Sequence, residues 1–182
     1  MRRTKWSRLA LAGVFIGLII WIIFLRSSFG TSGCPILARL RPIQVVPATN
    51  TDFVELDWQS GMGFLPHYTV RIQGDGQVDW EGEECVAAKG HRRGQINPQA
   101  AKALIDHFQA HGFCRLCRNY YPDATDLGAV RLTLSVHSKR QDVIAQSLHS
   151  PLLIGDLSQE IQRAAQVDQW IGDLPAKHCG LR

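Results

Sequence analysis

The chain has 182 residues and a mass of 20.3 kDa, with 45% hydrophobic and 20% charged residues. That is room for one ordinary domain plus a tail, and it excludes collagen, repeat arrays and wholesale disorder. The formal charge of +4 is unevenly placed: residues 1–50 hold seven Lys/Arg and no acid, whereas residues 51–182 hold thirteen Lys/Arg against sixteen Asp/Glu, a balance of −3. A polyanion-binding surface needs clustered positive charge on the folded part, so no nucleic-acid partner is expected.

Arg2, Arg3, Lys5 and Arg8 precede LALAGVFIGLIIWIIFL, an uncharged run from Leu9 to Leu25. Seventeen helical residues reach about 26 Å, just enough for a hydrocarbon core, and only a helix satisfies its own backbone there. The basic cluster places the N-terminus in the cytoplasm and the rest of the chain outside it. A cleaved signal peptide is the competing reading, but the run is long, Arg26 follows directly and SSFGTSG offers no Ala-x-Ala site. Ser32-Gly33-Cys34 resembles the end of a lipoprotein site, except that Thr31 stands where an aliphatic residue is expected. The expected layout is a cytoplasmic basic segment (1–8), a transmembrane anchor (9–25), a tether (26–50), an extracytoplasmic domain (52–172) and a C-terminal tail (173–182). The tether carries Pro35, Pro42 and Pro47 without helical periodicity, and its IQVVP stretch (Ile43 to Pro47) is a candidate edge strand.

Within the domain, Val54, Leu56 and Trp58 alternate with Phe53, Glu55 and Asp57, which predicts a first strand. Tyr68, Val70 and Ile72, then Val78 and Trp80, each alternate with polar residues on either side of Gly74-Asp75-Gly76, which predicts a hairpin. Cys85 to Lys89 is a candidate further strand. Asn97-Pro98 reads as an N-cap and first-turn proline; Ala101, Leu104, Ile105 and Phe108 recur at helical spacing, and Gly112 supplies the stop. Phe113 and Leu116 are expected in the core, and YYPDATDLG is a polar loop. Val130 to Val136 alternates cleanly, Gln141 to Leu148 is its partner, and Ser138-Lys139-Arg140 is the expected turn. Pro151 opens a second helix with Leu153, Leu157, Ile161 and Ala164/Ala165 on one face. The fold class is α+β: an antiparallel sheet of about five or six strands with two helices packed on one face, preceded by one transmembrane helix.

This ordered pattern over residues 52–172 resembles a bacterial domain of unknown function family, number 6438. Gly63, Pro66, Tyr68, Ile72, Asp75, Gly76, Val78, Trp80 and Gly82 match its first block, Phe113, Leu116 and Tyr120 its second, and Thr125-Asp126 its third; Pro151 and Leu153 fit the start of its last helix. Two cysteines of the family's first loop fall on Gly61 and Leu65, so any bond they make is absent from this chain. The resemblance implies a membrane-attached or secreted domain and brings no catalytic residues.

Five cysteines, Cys34, Cys85, Cys114, Cys117 and Cys179, follow the apolar run, where disulfides are permitted. Five is odd, so at least one is unpaired, intermolecular or modified. Cys34 and Cys179 could tie the two ends of the domain together. Cys114-Arg-Leu-Cys117 has redox-couple spacing, but it follows a helix C-terminus, whose dipole disfavours a thiolate; a structural disulfide or two buried thiols is the plainer reading. With His107 and His111 at i and i+4, these cysteines complete a four-ligand inventory for zinc, though the spacing is tight and helical histidines are more often packed or solvated. Asp79, Glu81, Glu83 and Glu84, and separately Asp123 and Asp126, read as solvated surface rather than acid–base pairs. The phosphate-loop, nucleophile-elbow, zinc-helix and dinucleotide motifs are absent from the sequence.

The sequence therefore points to a single-pass envelope protein whose domain binds a protein or envelope component, with no cofactor and no assigned catalytic residue. Edge strands and the loop Gln59–Pro66 are the expected contact surfaces. The alternative is a thiol-redox or zinc-binding protein using Cys114 and Cys117 with His107 and His111.

Overall fold

The structure, a computed structural model, describes residues 42–59, 61, 65–120, 128–146 and 150–172. The apolar run 9–25, most of the tether, Cys34, Gly63, Asp123, Thr125, Asp126 and the tail with Cys179 lie outside the described residues. No helix among the described residues is long and apolar enough to cross a membrane.

The described elements follow in chain order: β1 (Phe53–Gln59), β2 (His67–Gln73), β3 (Gln77–Glu84), β4 (Gly90–Gln95), α1 (Pro98–Ala110), a 3-10 turn (Phe113–Arg115), β5 (Asn119–Tyr120), β6 (Ala129–Val136), β7 (Lys139–Gln146), α2 (Leu152–Ala165) and the single turn α3 (Asp168–Ile171). The sheet has seven strands in the order β4-β3-β2-β1-β6-β7-β5. The fold is thus α+β as expected, with more strands than expected. The two extra ones have little apolar signal: β4 is GHRRGQ, and β5 is a two-residue parallel partner of β7.

Register explains which side is buried. Val54 pairs with Ile72 and Leu134, and Leu56 with Val70 and Leu132; Ile72 and Val70 continue to Val78 and Trp80. Because side chains alternate across a strand, these residues share one face. They form one cluster with Ala101, Ile105 and Phe108 of α1 and Ile154, Leu157 and Ile161 of α2. Each fully buried aliphatic or aromatic side chain there contributes about 1.5–3 kcal/mol. Both long helices therefore cover the same face. Tyr68 and Trp80 stack at 4.8 Å, Trp170 tilts against Trp80 at 5.2 Å, and Trp80 Nε1 donates to the Ala88 carbonyl at 2.8 Å.

Local signals set the boundaries. The Asn97 side chain accepts from Gln99 N–H at 2.8 Å, and Pro98 occupies the first turn of α1. Gly112 adopts φ 75°, the left-handed conformation that ends the helix. Three expectations need correction. Residues 85–89 form no strand: Cys85 adopts φ 51°, and β4 begins only at Gly90. The stretch IQVVP adds no edge strand; instead the Val46 N–H donates to Gln109 Oε1 and Gln109 Nε2 returns a bond to the Val46 carbonyl, each at 2.9 Å, so this segment straps α1. The β6–β7 turn is His137-Ser138, both in left-handed conformation, which matches the twist of a tight hairpin and places Lys139 and Arg140 inside β7.

Candidate functional site

The predicted thiol and imidazole residues are distributed rather than gathered. His107 and His111 lie one turn apart on α1 with ring centroids 3.7 Å apart. His107 Nε2 lies 3.1 Å from Glu160 of α2, and His111 Nδ1 lies 3.0 Å from the His107 carbonyl. Gly112 then turns the chain into Phe113–Arg115, leaving Cys114 exposed and Cys117 buried. Cys114 carries a free thiol, whereas Cys117 is disulfide-bonded, as is Cys85. Cys114 and Cys117 are therefore not a mutual redox couple in this structure. Desolvation raises the Cys114 thiol above its ordinary pKa, which disfavours the nucleophilic thiolate. Among the described residues, no three His, Cys, Asp or Glu side chains meet as a metal site.

Beside Cys114 is a cleft of about 260 Å³, lined by Val46, Leu134 and Val136 and by Lys139 and Arg140. It offers apolar contact and positive charge without a carboxylate. Arg140 is already engaged on the sheet, at 3.0 Å from Asp142 and 3.8 Å from Glu55.

The sheet face opposite the helices is polar. Arg71 of β2 pairs with Glu55 of β1 and lies 4.4 Å over the Phe53 ring. Thr133 donates to Asp142 at 2.7 Å. That bond and those from Arg140 offset the burial of Asp142 and hold its carboxyl below the ordinary range. Toward β4, Asp79 lies 3.4 Å from Arg93 and 3.9 Å from His91, and Glu81 lies 3.6 Å from His91. The acidic run on β3 is thus a solvated ladder of cross-strand pairs, worth little individually.

One corner of this face differs. Asp57 of β1 pairs in register with Arg131 of β6, and Gln146 of β7 lies opposite Ala129 of β6. These three side chains fall on the open face by alternation. Asp57 Oδ1, Arg131 Nε and Gln146 Oε1 are all buried and have no hydrogen-bond partner among the described residues. His67, which begins β2, stands 3.9 Å from Asp57 and 3.1 Å from Glu83, while Gln59 Nε2 donates to Asp57 Oδ2 at 2.9 Å. Buried polar atoms are ordinarily hydrogen-bonded, so two acceptors and one donor without such a bond set this corner apart from the paired ladder toward β4. Gln59, at the edge of this corner, ends β1 and opens the segment Gln59–Pro66. Neither Arg131 nor Gln146 is marked out in the sequence, because each is one polar residue in an alternating strand; only the register brings them beside Asp57.

No curated protein matches the chain. A family model described as Domain of unknown function (DUF6438) matches residues 52–165, which include all seven strands and both long helices. Tyr68 and Trp80, within that range, stack in the packed core. With well over half of its length matched, the chain belongs to the DUF6438 family.

Proposed function

We propose that the chain is a single-pass envelope protein, anchored by residues 9–25 with its N-terminus cytoplasmic, whose extracytoplasmic domain binds a protein or envelope component at the corner formed by Asp57, Arg131 and Gln146. The observation that carries the binding assignment is the trio of buried polar atoms that make no hydrogen bond among the described residues, on adjacent strands of the helix-free face. A partner offering both donors and acceptors, such as an extended peptide backbone or a polar envelope polymer, matches two acceptors and one donor. Location outside the cytoplasm is supported by the disulfide-bonded state of Cys85 and Cys117, which suits an oxidising compartment.

The test is cross-linking and affinity capture from detergent-solubilised membranes, comparing the native chain with an Asp57→Asn/Arg131→Gln variant of unchanged circular dichroism. The expected result is a partner enriched by the native chain and depleted at least tenfold by the variant. Equal capture by both chains would contradict the proposed site.

A further inference from the structure

Cys85 and Cys117 are each disulfide-bonded, and Cys114 is free. Cys85 follows β3, while Cys117 precedes β5 at the opposite edge of the sheet, five strand steps away. At about 4.8 Å per step the two lie roughly 24 Å apart, whereas a disulfide needs Cα atoms within about 7 Å. They cannot be bonded to each other. Within the chain only Cys34 and Cys179 remain.

The described residues nearest the two ends point to one pairing. Ala48 N–H donates to Asp106 at 3.0 Å, Val46 exchanges two bonds with Gln109, and a Cβ at Gly112 would lie 3.5 Å from Ile43. Read backwards along the chain, this strap runs toward the C-terminal end of α1, and Cys117 lies just beyond. At the other end, Ala87 and Ala88 N–H groups donate to the Ile171 and Trp170 carbonyls at 2.8 and 2.9 Å. The chain therefore passes Gly172 beside residue 87, two positions after Cys85.

We propose that this protein carries two disulfides, Cys34–Cys117 and Cys85–Cys179, which fasten its two terminal segments to opposite edges of the sheet and leave Cys114 as the free thiol. Forming each bond removes two protons and two electrons from two thiols. An oxidising protein disulfide accepts them and is reduced to its dithiol. Cys85, held at φ 51° between β3 and the 87–88 contacts, is positioned for this by the fold.

The experiment is peptide mapping by mass spectrometry of the full chain, extracted from its native membrane, alkylated without reduction and digested. The expected result is two linked peptide pairs, 34 with 117 and 85 with 179, and alkylation of Cys114 alone. A Cys34→Ser variant should release Cys117 to alkylation and leave the 85–179 pair intact. Linkage of 34 with 179, of 34 with 85, or of 114 with 117 would overturn the assignment, as would full alkylation of all five thiols. Because this readout is covalent, it succeeds or fails independently of partner binding at Asp57.

Discussion

Asp52 joins three parts of the domain and gives the most quantitative test of the packing account. The residue is 2% exposed. Its Oδ2 accepts from the Thr49 N–H at 2.7 Å and the Thr49 hydroxyl at 2.9 Å, and its Oδ1 accepts from the His137 N–H at 2.7 Å. Its own carbonyl accepts from Gly74 N–H at 2.8 Å. The carboxylate thus connects the strap to the β6–β7 turn, whose two left-handed residues lack the usual glycine, and the backbone carbonyl adds the β2–β3 hairpin. Burial alone would raise its pKa; the hydrogen bonds from Thr49 and His137 outweigh that and hold it below its ordinary value. An Asp52→Asn change keeps one acceptor oxygen and turns an amide NH₂ toward the remaining donor. Losing a hydrogen bond to a charged group costs about 1.5–3 kcal/mol, so the variant should be about 2–3 kcal/mol less stable at pH 7. The pH dependence has a definite sign. A folded pKa below the unfolded one stabilises above the unfolded value, about 3.9 for aspartate, and that stability is lost as pH falls through the folded value. Urea titrations followed by tryptophan fluorescence at pH 7 and pH 2.5 should therefore show the native chain losing its advantage over the variant in acid. A difference below about 0.5 kcal/mol at neutral pH, or one that persists unchanged in acid, would refute the reasoning.

Two further perturbations address the core. Trp80→Ala removes a fully buried ring that stacks on Tyr68 and donates to the Ala88 carbonyl, and it should cost about 3–5 kcal/mol by denaturant unfolding; a loss under about 1 kcal/mol would show that this cluster is not central. Gly82→Ala places a Cβ 2.2 Å from the Ala88 carbonyl oxygen and 2.8 Å from Trp80 Nε1. The turn after β3 must then shift, so the variant should unfold at lower denaturant than the native chain, and an unchanged midpoint would contradict the tight approach of β3 to residue 88.

Much of the layout is legible in the residues themselves. The Tyr68–Trp80 hairpin alternates apolar and polar side chains around Asp75-Gly76, Asn97-Pro98 carries its own capping chemistry, and Gly112 marks the position after α1 that takes positive φ. Other features are decided by tertiary partners. The strand β4 has no apolar alternation and exists because β3 offers it a ladder, with Gly94 allowing Trp170 to approach. The strap looks like a strand by composition, yet Gln109 and Asp106 satisfy its backbone from a helix. The spacing of Cys114 and Cys117 suggests a pair, but a 3-10 turn leaves one exposed and the other buried in a bond of its own. The corner at Asp57 is invisible in sequence because β1 must align with the β6–β7 hairpin, far along the chain, before its polar side chains share one corner.

The domain is proposed to stand outside the cytoplasm, and the exposed free thiol of Cys114 reports on that directly. Cells with an intact cytoplasmic membrane can be treated with a charged, impermeant maleimide, beside a Cys114→Ser control. The expected result is labelling of the native chain before lysis, at one site lost in the control. A native chain labelled only after the cytoplasmic membrane is broken, with Cys85 and Cys117 reactive as well, would contradict it.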